Sequence, residues 1–89
     1  MFSESKMNEL GYKYLYKGDT ETAIDLFKLN TEAFPDAPNT WDSLAEGYME
    51  NKQYSLAEKY YKKSLDLYPE NENAKVKLKK LEESVNNDL

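Results

Sequence analysis

The sequence predicts an all-α fold in which antiparallel helix pairs stack side by side and a fifth helix closes the row. Three observations predict it. A shift of 34 residues lays the chain on itself, matching Leu10 to Leu44, Tyr14 to Tyr48, Ala23 to Ala57, Lys28 to Lys62 and Pro35 to Pro69. The same shift conserves size class, with Met7 over Trp41, Gly11 over Ala45, Phe27 over Tyr61 and Phe34 over Tyr68. Finally, only three Gly and three Pro occur in 89 residues, and they fall at spaced points, which favours long helices over strands and turns.

Met7, Leu10, Gly11 and Tyr14 recur at three and four residues, which puts them on one face of a helix over about 4–17. Gly18-Asp19-Thr20 ends it and offers Asp19 or Thr20 as N-cap of a second helix over about 20–34. So short a turn makes the two helices antiparallel neighbours. Small residues at Gly11 and Ala23, and again at Ala45 and Ala57, let paired helices approach closely, and large residues fill the space beside them. Pro35 and Pro69 stop the second helix of each pair. The second pair is expected to start with Asp36 as N-cap and Pro38 in the first turn, run to about Asn51, and resume from about Tyr54 to Tyr68. Trp41, Leu44, Tyr48, Ala57 and Tyr61 are its expected core. Asn71 caps a last helix over about 72–86, with Ala74, Leu78, Leu81 and Val85 on one stripe and charges around the rest. Such a half-polar helix suits the end of a repeat array, and 86–89 carry no pattern.

Met7-x-x-Leu10-Gly11-x-x-Tyr14, Ala23-x-x-x-Phe27 and Pro35, followed by Trp41-x-x-Leu44-Ala45-x-x-Tyr48, Ala57-x-x-x-Tyr61 and Pro69, resemble the tetratricopeptide repeat (TPR) family. The departures are Met7 for the usual Trp, Ala45 for Gly, and Asn30 and Ser64 where Ala is common. The resemblance implies a TPR-type right-handed α-solenoid, with repeats at 4–37 and 38–71, a capping helix at 72–86, and a concave groove lined by the first helix of each pair. The groove residues so implied are Asn8, Tyr12, Leu15, Tyr16, Asp42, Glu46, Met49 and Glu50, then Val76, Lys77 and Lys80. Tyr12, Tyr16 and Met49 read either as anchors for a bound peptide or as repeat packing, and Asp42, Glu46 and Glu50 either as a dock for a basic peptide or as the charge partner of Lys77 and Lys80.

Family members that clamp the C-terminal carboxylates of heat-shock chaperones carry cations and asparagines at positions occupied here by Asn8, Tyr12, Ser43, Asn73 and Lys77. Only Lys77 keeps a needed cation, so a chaperone role is not expected. The stretches Ala23 to Asn30, Phe34 to Asp36, Trp41 to Glu46 and Asn71 to Lys75 also resemble the TPR tail of bacterial serine hydrolases of β-lactamase-like or esterase-like type. That likeness implies a non-catalytic appendage that packs on a catalytic domain or self-associates.

Charge and composition narrow the function further. A net charge of −5 disfavours nucleic acid and anionic membrane as partners, so a protein or peptide is expected. Zero His and zero Cys remove the usual general base, thiolate nucleophile and commonest metal ligands, so neither enzyme activity nor a cofactor or metal is expected. The chain is expected to be soluble, cytoplasmic if free-standing and otherwise in the compartment of its parent. Two repeats fall below the three usually needed for a stable array, so self-association through an apolar edge formed by Phe2, Tyr12, Leu15 and Tyr16 is a further expectation.

Overall fold

A computed structural model describes the backbone of residues 3–87 and the side chains of 3–84. Five helices follow one another: α1 Glu4–Tyr16, α2 Thr20–Ala33, α3 Pro38–Glu50, α4 Tyr54–Leu67 and α5 Glu72–Asn87. No strand occurs among the described residues. α1 packs on α2, α2 on α3, α3 on α4 and α4 on α5, and α1 also reaches α3, which is the contact order of stacked helix pairs. Phe2 and the last two residues lie outside the described residues, as does the side chain of Val85, so the expectations placed on them stop here.

The two pairs repeat in atomic detail. Both α1 and α3 end in the same double hydrogen bond, Gly18 N to Leu15 O with Asp19 N to Tyr14 O, and Lys52 N to Met49 O with Gln53 N to Tyr48 O. This arrangement satisfies otherwise orphaned carbonyls and demands a left-handed residue just past the helix. Gly18 takes it at φ 88° and Lys52 at φ 62°. α2 and α4 end alike at Phe34 and Tyr68, whose backbones leave the helical region ahead of Pro35 and Pro69. Asp19 caps α2 by accepting from Thr22 N, and Asn71 caps α5 by accepting from Ala74 N.

The start of α3 corrects the expectation of an Asp36 cap. Its N-cap is Ala37, with no side-chain cap bond. Pro38 occupies the first helical position, where its missing N–H costs nothing, and it holds the residue before it extended. Residue 37 therefore becomes the cap whatever its side chain. Thr40 supplies the local tie instead, its hydroxyl donating to Ala37 O at 2.8 Å.

The core centres on Phe27, fully buried between the backbones of α1 and α3. A Cβ on Gly11 would fall inside the van der Waals envelope of the Phe27 ring, and one on Gly47 would meet Ile24 at 3.1 Å and Phe27 at 3.2 Å. The aromatic edge of Phe27 meets Tyr12 at 5.1 Å between centroids. Leu44, Tyr48, Ala57 and Tyr61 are buried as expected, and Ala74 and Leu81 carry the core into α5. Trp41 differs. It is only partly buried, stacked on Tyr60 at 5.7 Å with its indole N–H donating to Pro35 O at 2.8 Å.

The two departures from small residues prove to be ties. Asn30 Nδ2 donates to Glu4 O at 3.0 Å and Ser64 Oγ to Pro38 O at 3.1 Å, equivalent positions binding equivalent carbonyls at the start of the preceding helix.

Candidate functional site

The residues implied to line a groove come from α1, α3 and α5, and the structure brings part of the set together. Tyr12 on α1 lies against Ser43 and Glu46 of α3, and Lys77 of α5 is near enough to Glu46 to favour its carboxylate. Side chains from all three helices thus come near one another around Glu46. Burial pushes the Tyr12 hydroxyl up to about 12, with Ser43 partly opposing. Burial also raises Glu46 from the ordinary carboxylate range, with Lys77 opposing and Glu50 and Asp42 adding to the rise.

Tyr16 is the exposed member, 79% accessible and tilted against Tyr12 at 5.7 Å. Tyr12 is held in turn by Phe27, so the core fixes one ring and that ring orients the next. Met49 is partly buried against the core, while Glu50, Val76 and Lys80 are exposed.

Two placements correct the sequence reading. Leu15 is a core residue, 9% exposed, because its position on α1 turns it toward α2 and not outward. Asp42 is largely committed to the fold: its Oδ2 accepts from Asn71 Nδ2 at 2.9 Å, and the same amide also donates to Ser64 Oγ at 2.9 Å. With Leu15 buried and Tyr12 half-buried, the apolar edge expected near the N-terminus is represented among the described residues chiefly by Tyr16.

Sequence reasoning did not find the buried polar atoms beneath this surface. Asn8 Oδ1 and Asp42 Oδ1, 34 residues apart and so equivalent in the repeat, are buried without a hydrogen-bond partner. Tyr61, fully buried, has a hydroxyl in the same condition; burial raises its pKa, and the nearby Glu46, Asp42 and Tyr12 add to the rise. Unpaired buried acceptors are uncommon and costly, and Asn8 Oδ1 and Asp42 Oδ1 recur at one register position. The 34-residue match of Asn8 to Asp42 was the available signal.

No group of three or more acidic side chains able to hold a metal ion occurs among the described residues, and no described helix is long and apolar enough to cross a membrane.

Residues 38–71 match the tetratricopeptide repeat family. No curated protein matches the chain. Among solved structures it is similar to the first TPR of Spaghetti (RPAP3) bound to the HSP90 peptide SRMEEVD, at 22% identity over 92% of each chain with a TM-score of 0.59. It is also similar to the first TPR domain of the human RPAP3 protein, at 19% identity over 94% of this chain and 93% of that one, with a TM-score of 0.50. None of these comparisons supports the likeness to serine-hydrolase tails. Residues 38–71 thus match a tetratricopeptide repeat, and the five helices as a whole have a TPR-type helical repeat fold.

Proposed function

We propose that the chain is a protein-interaction module whose α1–α3–α5 surface takes a peptide or helix from a partner protein. The observation that carries this reading is Tyr16, a large aromatic left exposed yet oriented by a ring that the core holds. Aromatic side chains of this kind supply much contact area at little entropic cost. Tyr12, Tyr16, Glu46 and Lys77 are the proposed contact residues, with Asn8, Met49, Glu50 and Lys80 at the margin and Asp42 supporting from below.

The similarity to a TPR bound to an HSP90 peptide supports peptide binding as the class of function. The ligand need not be the same. The peptide SRMEEVD carries three acidic residues, whereas the surface here sets Glu46 and Glu50 beside Lys77 and Lys80 and keeps only Lys77 of the clamp's cations. Charge complementarity favours a segment of neutral or mixed charge.

Selection of short random peptides by display on the intact chain tests the reading. Sequences enriched on the native protein should lose binding to Tyr12→Ser/Tyr16→Ser, provided circular dichroism shows the fold retained. Enrichment that is indifferent to Tyr16→Ser alone would remove this surface as the binding face.

A further inference from the structure

Off that surface lies a cleft between α3 and α4. It has a volume of about 550 Å³ and is lined by Trp41, Lys59, Tyr60, Lys62, Lys63 and Asp66, from the start of α3 and the outer face of α4. Its floor is the stacked pair Trp41–Tyr60, with rings at 21° and both residues partly exposed. Tyr48 extends the stack on the other side of Tyr60, at 5.6 Å and 16°. Lysines stand along this ladder: Lys63 lies 5.6 Å from Trp41, Lys59 5.4 Å from Tyr60 and Lys28 5.8 Å from Tyr48. A chain of net charge −5 has gathered cations over a strip of aromatic surface.

Lysine stems often cover apolar rings with no ligand involved, and an ammonium above a ring face gains something from it. Two features here exceed that function. A cleft of this size stays open beside the covered rings, and its rim is unbalanced, because Lys62 is neutralised by Glu58 at 2.9 Å while Lys59 and Lys63 face Asp66 as the only acid lining the cleft among the described residues. Beyond Lys28 the acids Glu21 and Asp25 end the cationic stretch, so the strip suits a short segment.

From this cleft we infer a second docking site, which takes an acidic peptide segment of a partner protein with one large apolar side chain laid on Trp41 and Tyr60 and carboxylates between Lys59 and Lys63. Lysines act as mobile point charges, which suits carboxylates of variable spacing. A nucleic acid is the poorer occupant, since it needs many cations and the rest of this chain repels it.

Trp41 is the only tryptophan, so its emission reads occupancy directly. The probe is a capped pentapeptide of four glutamates around a central phenylalanine, titrated into the whole chain. A saturable, salt-sensitive change is expected, weakened about tenfold in Lys59→Glu/Lys63→Glu. An intermediate loss is expected in Lys59→Gln/Lys63→Gln, and none in Tyr16→Ser. Both lysines are exposed, so the fold should persist, which circular dichroism checks. No emission change at millimolar peptide overturns the inference, as does equal binding of the version with glutamines. Tighter binding of a short thymidine oligonucleotide would overturn the choice of partner, and loss in Tyr16→Ser would place the peptide on the other face.

Discussion

Lys52 and Gly18 occupy the same position in successive repeats and show what one residue type costs. Both sit in the left-handed region just past a helix, but only glycine adopts it freely, and a side chain there is strained by about 1 kcal/mol or more. Lys52→Gly should therefore stabilise the chain by about 0.5–1 kcal/mol in urea denaturation, despite the added freedom of the unfolded chain. Gly11→Ala should do the reverse. Its new methyl group would overlap the fully buried Phe27 ring, and overpacking of this kind costs about 1–3 kcal/mol, read as a lower denaturation midpoint. The equivalence of Gly11 with Ala45 suggested a small residue at this point. The role of Gly47 escaped the sequence, because its partner Phe27 belongs to the preceding repeat and no spacing within α3 shows that contact.

At the scale of elements, the helices were legible because their signals are local and redundant. Apolar positions at three and four residues, a Gly or Pro at every boundary between helices except that between α3 and α4, and a second copy of the pattern fix each span to within about a residue or two. The start of α3 was misread by giving Asp36, a good capping side chain, priority over the backbone constraint that Pro38 places on Ala37. Trp41 was assigned to the buried core on its register position, but at the outer end of α3 it covers the core and hydrogen-bonds to Pro35 O. Asn71 joins three elements, bonding to Asp42 on α3 and Ser64 on α4 while capping α5. Removing it leaves part-buried acceptors without a donor. Asn71→Ala should cost about 2–3 kcal/mol, more than an ordinary cap, and amide hydrogen exchange should show α5 opening first.

At the scale of the whole molecule, Glu46 and the Trp41–Tyr60 strip belong to different surfaces. The α1–α3–α5 side carries a half-buried carboxylate, Glu46, whose pKa burial raises above its unfolded value. A carboxyl raised on folding binds protons more readily folded than unfolded, so its contribution to stability improves as pH falls through the folded pKa and is lost on returning to neutrality. The window lies immediately above the ordinary carboxylate range. Glu46→Gln should raise the melting temperature at neutral pH and flatten this part of the pH profile, which melting curves across mild acid would show. The sequence indicated the stripe of Asp42, Glu46 and Glu50 but not its division of labour, since Asp42 is engaged by Asn71 from a later turn and Glu46 is half-buried by neighbours on other helices. The aromatic and lysine strip was equally hidden, for Trp41, Tyr48 and Tyr60 meet only when α3 and α4 pack.

The claim that the α1–α3–α5 surface binds a partner segment is tested most directly by amide chemical-shift mapping of the labelled chain with a display-selected peptide. Shifts should concentrate at Tyr12, Tyr16, Glu46 and Lys77 and disappear in Tyr12→Ser/Tyr16→Ser, while Trp41 and Lys63 stay unmoved. Saturable shifts confined to Trp41, Tyr60 and Lys63, with α1 and α5 silent, would contradict it.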